Sequence, residues 1–405
     1  MRTVMRRLPV IIAIAAALLG AALLMRPFLH GLWFVIRAGE IGGAMGRLAD
    51  MDARTVSEQQ VDIASQARPS VIGRMYRPSG RAARMVLLVP GLHPAGINDH
   101  RLVELARHLA QSGLAVLTPE ITELAQFEIT PEVTDEIEAS ARWLSDYASA
   151  SGGLTRDARI GLLGISFSGG LSVVAAGRPA LRTKVAYVFS LGGHDDLPRV
   201  LRYLCTGIEP PPPSLLRLSG TGDEAPGVAP PRPHDYGVAI MLLRAAERLV
   251  PPRQVAPLRD GVRRFLVASS LDSRDREKAS REFESVRALA KTLPEPSRTL
   301  LRHVSERDVI HLGARLLPFV ELYGGPAGLS PSRSPKPSAP VFLLHGRDDN
   351  VIPAMESEYL AAEIDGHVRP RLLLTNLISH ADLERRPRAA EVAELASFWA
   401  DLLAR

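Results

Sequence analysis

The segment Gly164-Ile165-Ser166-Phe167-Ser168-Gly169-Gly170 holds two serines, each flanked two places away on both sides by a small residue. A serine hydroxyl is a weak nucleophile at neutral pH and becomes effective only beside a base that an acid orients. The turn that lifts such a serine above a sheet edge needs small residues at those flanking positions, because strand and helix come close there. Residues 159–165, "RIGLLGI", already make a strand of ordinary length, so the turn is expected at Ser166. Ser168 then falls in the first turn of the following helix, where a hydroxyl can satisfy free backbone N–H groups. Placing the turn at Ser168 would run the strand through two polar residues and shorten the helix that buries Leu171, Val173 and Val174. No GxGxxG or GK[ST] accompanies the glycines, so a phosphate-binding loop has no support.

A nucleophile of this kind needs partners later in the chain, in the order Ser, then Asp or Glu, then His. The loop "RDDNVIP" (347–353) follows the apolar run "VFLLHG", and "SHADLE" (379–384) follows "RLLLTNLI". His380 comes directly after the last expected strand and is the expected base, whereas His367 precedes that strand and lies at the wrong end of the sheet. Asp349 best fits the spacing for the acid, leaving Asp348 to cap the next helix or meet Arg347. Asp195 and Asp196, after "VFSLGG", are a second candidate pair for the acid, and His194 beside them either lines the pocket or serves structure. Oxyanion donors are expected from the Phe167 amide and, in "PGLHPAG" (90–96), from the Leu92 amide, since Gly91 lets the backbone turn in close. His93 is a further candidate pocket residue. No HExxH or paired CxxC is present and Cys205 is alone, so neither a metal nor another cofactor is implied.

Strands alternate with helices at the spacing of a doubly wound, mostly parallel sheet. Strands are expected at 59–65, 70–78, 83–91, 114–120, 159–165, 184–193, 339–346 and 370–378, with helices at 99–112, 130–149, 353–364 and 389–404 between and after them. The rhythm breaks over 197–338, a helical block with proline-rich joints such as "EPPPPS" and "SPSRSPKPSAP". The strands after it are needed to finish the sheet, so 59–196 and 339–405 form one α/β core and 197–338 is an insertion. It leaves the core after a strand whose carboxyl end faces the nucleophile, which predicts a lid over the pocket. Its clusters "AIMLL" and "LLPFV" suit both docking on the core and lining an apolar acyl site.

The chain has 405 residues, of which 46% are hydrophobic, and a net charge of +5. Of its 49 basic residues all but Lys184, Lys278, Lys291 and Lys336 are Arg, and they are scattered, which argues against a nucleic-acid partner. The amino end, "MRTVMRR", is basic, and Leu8 to Met25 carries no charge. At about 1.5 Å per residue that run just crosses a bilayer core. The chain stays apolar through "FLHGLWFVI", and no clean A-x-A site precedes a polar start. Residues 1–36 are therefore expected to be a single-pass transmembrane anchor, with a cleaved signal and a buried or re-entrant helix as the rivals, and 37–58 a connector. Arg2, Arg6 and Arg7 favour a cytoplasmic amino end, putting the body on the extracytoplasmic side.

Together, "VPGLHPAG", "GISFSGG", "HGRDDNVIP" and "SHADL" resemble the α/β-hydrolase superfamily, and most of all its dienelactone-hydrolase and prolyl-oligopeptidase-like bacterial branch. The resemblance covers about 59–196 and 339–405. It implies a serine hydrolase with Ser166, His380 and Asp349 as its triad, acting without a cofactor on a small, apolar carboxylic ester through an acyl-enzyme. A peptidase or amidase, or a non-enzymatic binding protein on the same fold, is the alternative. Two departures stand out. Ser168 occupies a place where the family usually has Gly, and Ser166 stands where dienelactone hydrolases carry Cys, which counts against dienelactone as substrate. Acyl-chain length and oligomeric state are not legible in the sequence.

Overall fold

A computed structural model describes residues 24–64, 70–155, 157–209, 232–272, 275–378 and 388–405. Five apolar runs form the middle of its sheet: β3 (Met85–Val89), β4 (Ala115–Pro119), β5 (Ile160–Ile165), β6 (Val185–Leu191) and β7 (Val341–Gly346). They are buried along nearly their whole length, as strands covered on both faces must be. The polar β1 (Val56–Ile63) and the half-exposed β8 (Arg371–Thr375) are the edges, and β2 (Val71–Pro78) lies inside β1. The order is β1-β2-β4-β3-β5-β6-β7-β8. The β1/β2 and β2/β4 pairs are antiparallel and the rest are parallel. This is the mostly parallel, α/β-hydrolase-like sheet that the motifs imply.

The longer helices are α1 (24–38), α2 (Gly43–Met51), α3 (His100–Gln111), α4 (Pro131–Ala150), α5 (Phe167–Gly177), α6 (Leu197–Thr206), α7 (Asp235–Leu249), α8 (Pro252–Leu271), α9 (Arg276–Thr292), α10 (Ser297–Ser305), α11 (Val309–Leu316), α12 (Met355–Ile364) and α13 (Ala389–Leu403). Alternate strand residues face opposite sides of the sheet. Val86, Leu88, Leu163, Phe189 and Leu344 meet α1, α3 and α13 on one side. Leu87, Val89, Leu162, Val188 and Leu343 meet α4 and α5 on the other.

The helices α6 to α11 lie between β6 and β7 in the chain, and their buried side chains join the same apolar cluster as the second face of the sheet. Ala239 to Leu243, the "AIMLL" run, and Leu316 and Val320 of "LLPFV" are all buried in that packing. These clusters are used in docking the block on the core.

Residues 1–23, which hold nearly all of the expected anchor, lie outside the described residues. Among the described residues no helix is long and apolar enough to cross a membrane. The segment after Arg26-Pro27 departs from the expected boundary at residue 36, because α1 packs on the core. Phe34 meets Trp399 with ring centroids 4.1 Å apart. Gly31 lies so close to α13 that a Cβ there would collide with the Ala396 carbonyl and the Ala400 amide. Arg37 is buried and donates to the Ala49 carbonyl at 2.5 Å and to Ser112 Oγ at 2.9 Å. An apolar helical run reads alike in sequence whether lipid or another helix covers it. We expect Gly31→Val to destabilise the core by about 1–3 kcal/mol through overpacking, measured by urea unfolding. An unchanged midpoint would mean that α1 is not docked.

Candidate active site

The turn between β5 and α5 falls at Ser166, whose backbone has φ 58° and ψ −132°. A non-glycine residue in this region carries about 1–3 kcal/mol of strain and persists only where its surroundings hold it. Ser166 N–H donates to the Leu191 carbonyl at 2.7 Å, and Gly169 N–H to the Ser166 carbonyl at 2.8 Å. A Cβ at Gly164 would collide with the Ser168 carbonyl, which is why the position before the turn needs glycine. Ser166 is half-buried, whereas Ser168 is fully buried and donates through Oγ to the Pro90 carbonyl at 2.5 Å. Ser168 thus ties the start of α5 to the loop after β3. A glycine there could not make that bond.

That loop passes directly over the turn. A Cβ at Gly91 would stand 3.7 Å from Ser166 Cβ, and Leu92 is the next residue of the loop. Among the described residues neither the Leu92 nor the Phe167 amide donates to a protein acceptor. The Leu92 carbonyl accepts from Tyr236 Oη at 2.9 Å. Tyr236 opens α7 of the insertion, and its neighbour His234 donates its N–H to the Asn350 carbonyl at 2.9 Å. One segment of the insertion therefore touches both the loop of Leu92 and the loop of Asp349. Nothing in "PHDYG" announced this role, since a tyrosine in a proline-rich joint has no partner visible in sequence. His93 is half-buried, and its Nδ1 accepts from the Ala95 amide at 3.3 Å and lies 4.0 Å from Asp99.

After β7 the two acids separate: Asp348 is exposed and Asp349 is buried. Asp349 Oδ1 accepts the amides of Val351 and Ile352 at 2.9 and 3.0 Å, which fixes the carboxylate on its own loop. Its Oδ2 lies over Gly192, where a Cβ would stand 3.5 Å away and where φ is +62°. Since Leu191 holds Ser166, the serine and Asp349 flank the same end of β6. Beneath the loop is His345, which the sequence pattern marks only as part of the apolar run "VFLLHG". It is fully buried, with Nδ1 2.6 Å from Ser357 Oγ, Nε2 2.9 Å from the Ile352 carbonyl and Nε2 3.6 Å from Asp349 Oδ2. His380 lies outside the described residues. The chain leading to it does not: a Cβ at Gly346 would collide with the Ile378 carbonyl.

The second pair of acids builds the neck of the insertion. Asp196 caps α6 by accepting the Arg199 amide at 2.9 Å, and also accepts from Arg333 Nε at 2.9 Å. Glu356 is fully buried on α12 and takes the Asp195 and Asp196 amides at 3.0 and 3.1 Å. It also takes Arg199 Nε at 2.6 Å and Nη2 at 3.0 Å, while Nη2 reaches Asp195 Oδ2 at 3.0 Å. His194 is enclosed, with Nε2 2.7 Å from the Leu329 carbonyl, and burial lowers its pKa. Asp195 and Asp196 are likewise engaged on both sides of the insertion, by Arg199 at its start and by Ser332 and Arg333 near its end.

Burial holds the Asp195 carboxyl up at about 6, against the pull of Arg199. Its folded pKa thus exceeds the unfolded value of about 3.9, so protonation favours the folded state. That stability is complete below about pH 4 and is lost as pH rises through about 6. We expect the fall in urea midpoint from pH 5 to pH 8 to be smaller in Asp195→Asn than in the wild type. Equal falls would remove Asp195 as the cause.

Two open clefts of about 460 and 400 Å³ lie beside Pro251 and Pro294, and beside Glu128 and Arg244; neither is lined by Ser166. Among the described residues, His303, Asp308 and His311 offer a group of metal-ligand atoms, and they sit on the insertion rather than on the loops around Ser166.

No protein-family model matches the chain. A curated relative from Bradyrhizobium sp, named "Probable 2-oxo-3-(5-oxofuran-2-ylidene)propanoate lactonase", is 27% identical over 160 residues, or 34% of this chain, and the match spans 58% of that relative's length. Among solved structures, an esterase of Pyrobaculum calidifontis is 15% identical, with 89% of this chain and 90% of that one covered and a TM-score of 0.43. An acylaminoacyl peptidase of Pyrococcus horikoshii is 12% identical, with 82% of this chain and 39% of that one covered and a TM-score of 0.41.

Proposed function

We propose that the protein is a serine hydrolase that cleaves carboxylic esters through an acyl-enzyme, with Ser166 as nucleophile, His380 as base and Asp349 as orienting acid. The observation that carries the reading is the strained turn at Ser166, set between the Leu92 loop and the Phe167 amide and sharing a strand end with buried Asp349. Ser166 Oγ attacks the acyl carbonyl while His380 takes its proton, then returns it to the leaving alkoxide. Asp349 holds the histidine tautomer and stabilises its cation. The Phe167 and Leu92 amides receive the oxyanion, the term that most often dominates in such sites. Water activated by the same histidine releases the acid. Cyclic esters undergo the same steps, which brings the lactone named for the Bradyrhizobium relative within the substrate class.

The test pairs a fluorophosphonate probe with turnover of p-nitrophenyl butyrate and of a matched p-nitroanilide. Ser166→Ala is expected to lose labelling and about 10⁴-fold or more in kcat, and Asp349→Asn about 10³–10⁴-fold. Ser168→Ala should keep both activities but lose about 1–3 kcal/mol of stability, because the Pro90 carbonyl is left unpaired. Labelling that persists in Ser166→Ala and disappears in Ser168→Ala would transfer the nucleophile. Faster turnover of the anilide than of the ester would make the enzyme an amidase.

The anchor belongs to the same proposal. Residues 8–25 would hold the protein in a membrane, with the body extracytoplasmic and apolar esters at hand. Full-length protein is expected in the membrane fraction after a carbonate wash. Recovery of a soluble form with a new amino terminus near residue 25 would instead make the leader a cleaved signal.

A further inference from the structure

We propose that His303, Asp308 and His311 form a binding site for a divalent transition-metal ion of the Zn(II) or Co(II) type, on the insertion and independent of the ester chemistry. His303 sits in the last turn of α10 and His311 in the first turn of α11. The connection between them is short because Arg307 takes φ +58°, which reverses the chain within three residues. The reversal brings both imidazoles to one carboxylate oxygen: His303 Nδ1 is 3.1 Å and His311 Nδ1 2.7 Å from Asp308 Oδ2. The rings lie nearly parallel, with a 16° interplanar angle and centroids 5.5 Å apart.

Zinc–nitrogen and zinc–oxygen bonds of about 2.0–2.2 Å place tetrahedral ligands about 3.3 Å apart. The carboxylate oxygen is already near that distance from both nitrogens, so small side-chain rotations would complete the set. The donors suit the ion: two neutral imidazoles and one carboxylate are borderline ligands that favour zinc and its neighbours over magnesium or calcium. Asp308 is oriented for the task, since its Oδ1 accepts the His311 amide at 3.2 Å as the cap of α11 and leaves Oδ2 to the histidines. The cation next in the chain is turned away. Arg307 reaches Asp235 at 3.2 Å and Asp272 at 3.5 Å and lies over the Phe283 ring. His303 is mostly buried and His311 is exposed, so the remaining coordination positions open to water. Binding needs both rings neutral, with Nδ1 as the ligand atom and the hydrogen on Nε2. An ion here would cross-link α10 and α11 at the turn whose Arg307 holds Asp235, the residue before Tyr236.

The test is titration of chelator-treated, full-chain protein with ZnCl₂ by calorimetry and with CoCl₂ by visible absorption. One Zn(II) per chain with micromolar affinity is expected, along with the intense ligand-field band of tetrahedral Co(II) and a rise in Tm on adding Zn(II). His311→Ala, an exposed position whose change leaves the fold intact, should weaken binding at least tenfold and remove the band, as should His303→Ala. Asp308→Asn keeps a capping side chain and should weaken binding without lowering the Tm of the metal-free protein. Absence of saturable binding below millimolar Zn(II), or binding that survives both histidine substitutions, would overturn the site. Neither outcome bears on labelling of Ser166.

Discussion

The close approach of α5 to the ends of β5 and β6 is the constraint on which the rest of the structure depends. Three glycines permit it. Side chains would drive into the Ser168 carbonyl at Gly164, into Ser190 and Gly193 at Gly169, and into His194 at Gly170. With the helix pressed this tightly onto the strands, the chain leaves β5 through one strained residue, Ser166, and the helix begins at the next residue, Phe167. The approach also encloses His194 and so sets where the chain departs for the insertion. A looser packing would relieve the strain and lose the geometry.

The insertion is joined to the core by apolar packing and by one buried polar cluster. Glu356 is a fully buried carboxylate, tolerable because two backbone amides and the Arg199 guanidinium surround it. A buried charge that loses its partner costs about 3–5 kcal/mol, so such a cluster favours one arrangement strongly over alternatives. It fixes the angle at which α6 leaves the sheet. From there the Tyr236 hydroxyl reaches the Leu92 carbonyl and the His234 amide reaches Asn350. The block thus touches the loops of Leu92 and Asp349 through these two hydrogen bonds, while its apolar clusters are buried in packing.

The sequence by itself determined the sheet and the position of the turn. Continuous apolar runs such as "MVLLV" and "VFLLHG" suit strands covered on both faces, and it is their alternation with longer amphipathic helices that points to the architecture. The turn at Ser166 followed from strand length and from glycine at 164, both local properties. The buried member of the Asp348-Asp349 pair was also the one whose spacing matched the loop.

Only the tertiary structure decided which partner each residue meets. His194, Asp195 and Asp196 read in sequence as a pocket or structural histidine and a second candidate acid, and the partners they meet in the neck, Arg333 and Glu356 among them, lie far along the chain. The apolar stretch 28–36 reads as the end of an anchor, and Ala396 and Trp399 from the far terminus take it into the core. His303 and His311 are two unremarked histidines until a positive φ at Arg307 turns them onto one oxygen. A hydrophobic period records that a side chain is buried and on which face. It carries no information about what covers that face, because burial lowers free energy through the area removed from water, whichever surface removes it.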